Sequence, residues 1–205
     1  DDYVIGIERL TLLSDYIVVN VSSPNTEGLR ALQARESLTR LLSASMDARA
    51  RAATNITKMP PLLVKVAPDL DTSEMHDIAD VVVSSGIDGL VVGNTTIDRP
   101  ADLQSSDKSQ AGGLSGKPLM EKSTECLAEF YRLTEGKIPL IGCGGIASGA
   151  DAYAKIRAGA SLVQLYTALV FQGPGLVGRI KRELAALLKE DGFANVSEAI
   201  AADHK

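Results

Sequence analysis

Residues 62–72, Leu62-Leu63-Val64-Lys65-Val66-Ala67-Pro68-Asp69-Leu70-Asp71-Thr72, decide the fold. Leu62 to Ala67 is nearly continuous in apolar character and too short for a helix, the pattern of a strand covered on both faces. Thr72 is a plausible N-cap for a helix that runs to Ser85 and carries Met75, Ile78, Ala79 and Val82 at helical spacing. Strand, loop and helix in that order make one βα unit of a parallel sheet.

The same unit recurs on either side. Further apolar runs lie at Tyr16–Val21, Gly89–Gly93, Pro139–Gly142 and Leu162–Tyr166. Helical patterns separate or follow them: Leu32 to about Asn55, Pro118 to about Leu133, Ala150–Arg157 and Leu176–Glu190. Five βα units in succession imply right-handed crossovers and a parallel sheet. A doubly wound sheet and a barrel both satisfy the pattern. The barrel is favoured because polar, chemistry-bearing residues follow almost every run, and barrel enzymes collect such residues at the C-terminal ends of their strands. Five strands fall short of the eight in a (β/α)8 barrel. The expectation is that residues 1–205 are the C-terminal part of a single barrel domain. Five parallel strands alone would leave two open edges.

Composition narrows the function classes. Hydrophobic residues make up 45% of the chain and charged ones 23%, which is globular. The net charge is -5, aromatics are 4% and Trp is absent, so nucleic acid is not the expected partner. The longest near-apolar run, Leu162 to Phe171, is too short to span a bilayer, and no signal peptide is visible. Cys126 and Cys143 are too few for a disulfide framework or a zinc motif; Cys126 is expected as a core filler and no metal is expected.

The loops hold the candidate chemistry. Asn20-Val21-Ser22-Ser23-Pro24-Asn25-Thr26 offers two amides and three hydroxyls, suited to a planar polar ring, although its composition also fits an ordinary turn. Lys65 sits inside an apolar strand, where an unpaired charge is costly. Alternation puts it on one face with Leu63 and Ala67, pointing into the barrel. Asn94-Thr95-Thr96 again closes a strand. Gly112-Gly113-Leu114-Ser115-Gly116-Lys117-Pro118 precedes a helix, where glycines let backbone N–H groups approach an anion. Gly142-Cys143-Gly144-Gly145-Ile146 and Leu165-Tyr166-Thr167 close the last two strands, the usual phosphate position in barrels.

These motifs, in this order, resemble the dihydroorotate dehydrogenases, and within them the class 2, quinone-reducing group. Gly28-Leu29-Arg30, Pro68-Asp69-Leu70 and Gly159–Leu169 extend the resemblance over essentially the whole chain. The resemblance implies a (β/α)8 barrel with FMN at its C-terminal face. It implies Ser23 as the base that removes a proton from dihydroorotate. Asn20, Asn25, Asn94 and Thr95 would hold the pyrimidine. Asn20, Lys65, Gly93, Gly116, Gly144, Gly145, Tyr166 and Thr167 would contact FMN, with Gly93 standing where threonine is expected. It further implies orotate as product in pyrimidine biosynthesis and a ubiquinone-type acceptor. Membrane association would run through N-terminal segments not in this chain, at the mitochondrial inner membrane or, in a prokaryote, the cytoplasmic membrane. Alternatives are another FMN-dependent barrel oxidoreductase and a non-catalytic truncated fragment.

Overall fold

A computed structural model describes residues 1–54 and 58–204. Its centre is a five-stranded, all-parallel sheet in chain order: β1 (Ile17–Asn20), β2 (Leu62–Val66), β3 (Gly89–Val92), β4 (Leu140–Cys143) and β5 (Ala160–Gln164). Helix α1 (Asp2–Leu10) precedes β1. The crossovers are α2 (Arg35–Ala52), α3 (Thr72–Ser85), α4 (Met120–Thr134) and α5 (Gly149–Arg157). After β5 come α6 (Thr167–Gln172), α7 (Gly175–Glu190) and α8 (Val196–Ala199). Each crossover returns the chain to the neighbouring strand, as a short helical connection between parallel strands must.

Alternation sorts the strand residues into two layers. Val19, Leu62, Val64, Val66, Leu90, Val92 and Leu140 pack outward with Leu38, Leu42, Ile78, Val82, Leu127 and Phe130 of the helices. Leu63, Val91 and Ile141, with Val18 and Cys143, form a separate inner cluster. Lys65 is two residues from Leu63 and so faces inward, as expected. Cys126 is buried in the outer core, also as expected.

β2, β3 and most of β4 are covered on both faces. The outer strands are not. Leu162 is 63% exposed, and Tyr16, just before β1, is 52% exposed. Each outer strand has one neighbour, so the open edges foreseen from the strand count are present.

Several boundaries differ from the sequence expectation. The N-cap of α3 is Asp71, not Thr72. The Asp71 carboxylate accepts from the Glu74 N–H and the Glu74 carboxylate from the Asp71 N–H, each at 2.8 Å, a reciprocal pair that Thr72 cannot make. β5 begins at Ala160 because pairing with Leu140 starts there, and the apolar residues beyond Gln164 pass into α6 instead of the sheet. Pro118 lies in a 3-10 turn, Lys117–Leu119, that leads into α4. The expected end of the second helix at Asn55 lies outside the described residues; α2 itself begins at Arg35, after a 3-10 turn at Leu29–Gln33.

Candidate functional site

The C-terminal ends of β2 to β5 open on one cavity of about 1000 Å³. That volume is at the upper end of the ~300–1,000 Å³ typical of cofactor clefts. Its walls include Lys65, Asn94, Thr95, Gly116, Gly144, Gly145, Tyr166 and Thr167, eight of the candidate residues. Asn20, Ser23, Asn25 and Gly93 are not part of the lining. Asn20 ends β1 in register with Lys65, on the same inward face. Ser23 and Asn25 lie in the adjoining loop, where the Asn25 N–H donates to Ser23 Oγ at 3.2 Å.

Gly93 is backbone packing. Its φ is +121°, and a Cβ there would lie 2.3 Å from the Cys143 carbonyl oxygen. In this backbone the position admits only glycine. The glycine loop after β4 is held as closely: a Cβ on Gly145 would come within 2.4 Å of Met120 Cα. The loop backbone is thereby pressed against the start of α4 while it lines the cavity.

A chain of hydrogen bonds joins the loops after β1 and β3. Ser22 Oγ donates to Asn20 Oδ1 at 2.7 Å and accepts from Asn94 Nδ2 at 2.7 Å. Tyr3 donates to the Asn20 carbonyl at 2.7 Å. Arg30 clamps three loops together. It donates to the Ser22 carbonyl (3.0 Å), to Asp69 Oδ2 (2.9 Å) and to the Thr95 carbonyl (3.0 Å). Asp69 also accepts from Thr96 Oγ1 and the Ile97 N–H, and pairs with Lys122 at 2.7 Å. Burial is the largest single influence on Asp69 and raises its pKa; the bonds from Lys122, Thr96, Ile97 and Arg30 outweigh it and hold the carboxyl below the ordinary range.

Lys155, in α5, lies under the glycine loop with no exposed surface. Its ammonium donates to Ser123 Oγ at 2.5 Å, and Ser123 Oγ donates to the Gly144 carbonyl at 3.1 Å. Burial pushes the amine down to about 8, against the pull of Cys143, Cys126 and Asp151.

Sequence reasoning missed Ser22, Arg30, Asp69 and Lys155 as elements of the site. Ser22 and Asp69 stood in loops already singled out. A faint signal for Lys155 exists: its neighbours Ala152, Tyr153 and Ile156 mark that face of α5 as buried. Arg30 stood in the Gly28-Leu29-Arg30 motif, but nothing local signals its role, because its partners lie 8, 39 and 65 residues away.

The donor set suits an anionic, polar group. Lys65 has no ion-pair partner among the described residues, and the buried Thr95 hydroxyl has no hydrogen-bond partner among them. Thr167 and Ser115 bring two hydroxyls together at 2.9 Å beside Gly116.

Comparison with known proteins gives one consistent result. A family model described as "Dihydroorotate dehydrogenase" matches residues 1–188. A protein of Azorhizobium caulinodans named dihydroorotate dehydrogenase (quinone) is 59% identical over 203 residues, covering 99% of this chain and 57% of that protein. The mouse protein named dihydroorotate dehydrogenase (quinone), mitochondrial, is 56% identical and covers 100% of this chain and 51% of its own length. The crystal structure of DHODH from Eimeria tenella in complex with ferulenol superposes with a TM-score of 0.96 at 44% identity, over 100% of this chain and 58% of that one. The chain therefore spans a little over half the length of these relatives. Its five βα units are a portion of their barrel fold.

Proposed function

This chain belongs to the dihydroorotate dehydrogenase family, and we propose that residues 1–205 form part of a single FMN-binding barrel that oxidises dihydroorotate to orotate and passes the electrons to a quinone. The observation that carries the reading is convergence. Lys65, Asn94, Thr95, Gly145 and Thr167 come from four separate strand ends yet face one cavity.

FMN, when bound, supplies the hydride acceptor. Gly144, Gly145 and Thr167 would hold its phosphate through backbone N–H and hydroxyl donors, with Lys155 beneath as a buried cation. Lys65 would set a positive charge beside the flavin ring, in a site where low polarity strengthens the interaction. Asn20, Asn25, Asn94 and the unpartnered Thr95 hydroxyl would hold the pyrimidine. Ser23 would take the substrate proton at C5. A serine hydroxyl is a weak base at neutral pH, so it must hand a proton on, through Thr26 or water, in a site closed to bulk solvent.

The names of the relatives support a quinone acceptor and, through the mouse protein, a mitochondrial setting. A place in pyrimidine biosynthesis belongs to the same reading, as does association with the mitochondrial inner membrane, or with the cytoplasmic membrane in a bacterium. No helix among the described residues is long and apolar enough to cross a membrane.

The test is flavin reduction by dihydroorotate in the full-length protein. Ser23→Ala should slow it by orders of magnitude with FMN content unchanged. A full-length protein that holds FMN but neither binds orotate nor is reduced by dihydroorotate overturns the reading.

A further inference from the structure

The buried hydroxyl of Ser22 has no part in the chemistry above, yet it stands between two of the ligand-binding amides. Its bonds have only one consistent polarity. The Ser22 backbone N–H points to a side-chain atom of Asn20 at 3.3 Å, and an N–H can only donate, so that atom is Oδ1. The Ser22 hydroxyl bonds the same oxygen at 2.7 Å, which commits its proton there. Ser22 Oγ has lone pairs alone left for Asn94, which must present Nδ2, also at 2.7 Å. At the far end the Thr95 N–H donates to Asn94 Oδ1 at 2.8 Å, which requires the same orientation independently. Two backbone donors, one at each end, thus define both amide orientations without reference to any ligand.

The consequence lies at the cavity edge. Asn20 Oδ1 accepts two bonds and has no lone pair left, so Asn20 offers only its two Nδ2 hydrogens. It shares the inward face with Lys65, itself a pure donor. Asn94 keeps one Nδ2 hydrogen for the cavity it lines. We infer that Ser22 is a positioning residue that locks Asn20 as an obligate hydrogen-bond donor, so that this edge of the site selects ligands presenting carboxylate or carbonyl oxygens. This rests on the functional reading above for orotate as the ligand.

The experiment measures orotate binding and steady-state kinetics in the full-length protein. Ser22→Ala keeps the two backbone bonds but removes the hydroxyl that joins the amides, freeing an acceptor site on Asn20 Oδ1 and loosening both side chains, and it should weaken orotate about ten-fold, roughly the loss of one or two net hydrogen bonds. KM for dihydroorotate should rise more than kcat falls, and FMN content should stay unchanged. Ser22→Thr, which keeps the hydroxyl, should restore most of the affinity. Asn20→Asp keeps the oxygen that Ser22 uses but replaces the free donor by an acceptor; it should weaken orotate by more than 100-fold, and it stands as the test if Ser22→Ala does not fold. A parent that binds orotate with unchanged affinity in Ser22→Ala or in Asn20→Asp overturns the inference alone. A parent that does not bind orotate overturns the functional reading and this inference with it.

Discussion

Replacing Lys155 by methionine should stabilise the protein at neutral pH, and the size of the effect follows from its burial. Lys155 is 0% exposed and donates to Ser123 Oγ at 2.5 Å and, more weakly, to the Met120 carbonyl at 3.4 Å. Among the described residues no carboxylate forms an ion pair with it, and Asp151 acts on it only as a more distant charge. Its amine titrates at about 8 in the folded protein against 10.5 for an ordinary lysine, chiefly through burial. At ~1.4 kcal/mol per pH unit, that difference costs the folded state about 3 kcal/mol while the side chain is charged in both states. The sign follows from proton counting. Below pH 8 folded and unfolded chains both carry the proton and the full penalty applies. Between pH 8 and 10.5 the unfolded chain holds more protons, so stability rises with pH; above 10.5 the penalty is gone. Methionine has similar length and no charge. It forfeits the bond to Ser123, about 1 kcal/mol, but leaves Ser123 bonded to the Gly144 carbonyl. Lys155→Met should therefore be about 2 kcal/mol more stable at pH 7, an advantage that falls by roughly half at pH 9. Cys126, pushed up to about 12 by burial against the pull of Lys155, stays protonated in both folded proteins at pH 7 and at pH 9, so it does not alter the comparison. Denaturant midpoints of the FMN-free, full-length proteins at the two pH values measure the difference. A variant less stable than the parent at pH 7, with the same gap at pH 9, would refute the reasoning.

Two other perturbations bear on the site. Asp69→Asn removes a carboxylate that accepts from Arg30, Thr96 and Ile97 and pairs with Lys122; a loss of about 2 kcal/mol at pH 7 is expected from unfolding curves. Because the Asp69 carboxyl is held below its ordinary value, its contribution is present above the usual carboxylate range and disappears as pH falls through the folded value, so parent and variant should converge in acid. Gly145→Ala forces a Cβ to 2.4 Å from Met120 Cα at a φ of +79°; strain of about 1–3 kcal/mol should move the loop and weaken FMN binding at least ten-fold by fluorescence titration.

Much of this protein was readable from its residue order. Strands β2, β3 and β4 announced themselves because a strand covered on both faces must be apolar throughout, and their helices because one stripe must face the sheet. The inward direction of Lys65 followed from the two-residue period of a strand. Residues at successive strand ends converge whenever parallel strands share a rim, so Asn94, Gly145 and Thr167 could be grouped in advance. Tertiary structure decided what depends on distances between remote parts of the chain. Arg30 finds Asp69 and Thr95 only because three loops meet. Ser22 becomes a hub only because Asn94, 72 residues later, arrives beside it. Lys155 loses its water only when α4 and the glycine loop close over it. The exposure of Leu162 depends on a neighbouring strand, which no local pattern specifies. Periodicity is a property of adjacent residues and survives in the sequence; hydrogen-bond polarity and desolvation belong to groups brought together through space.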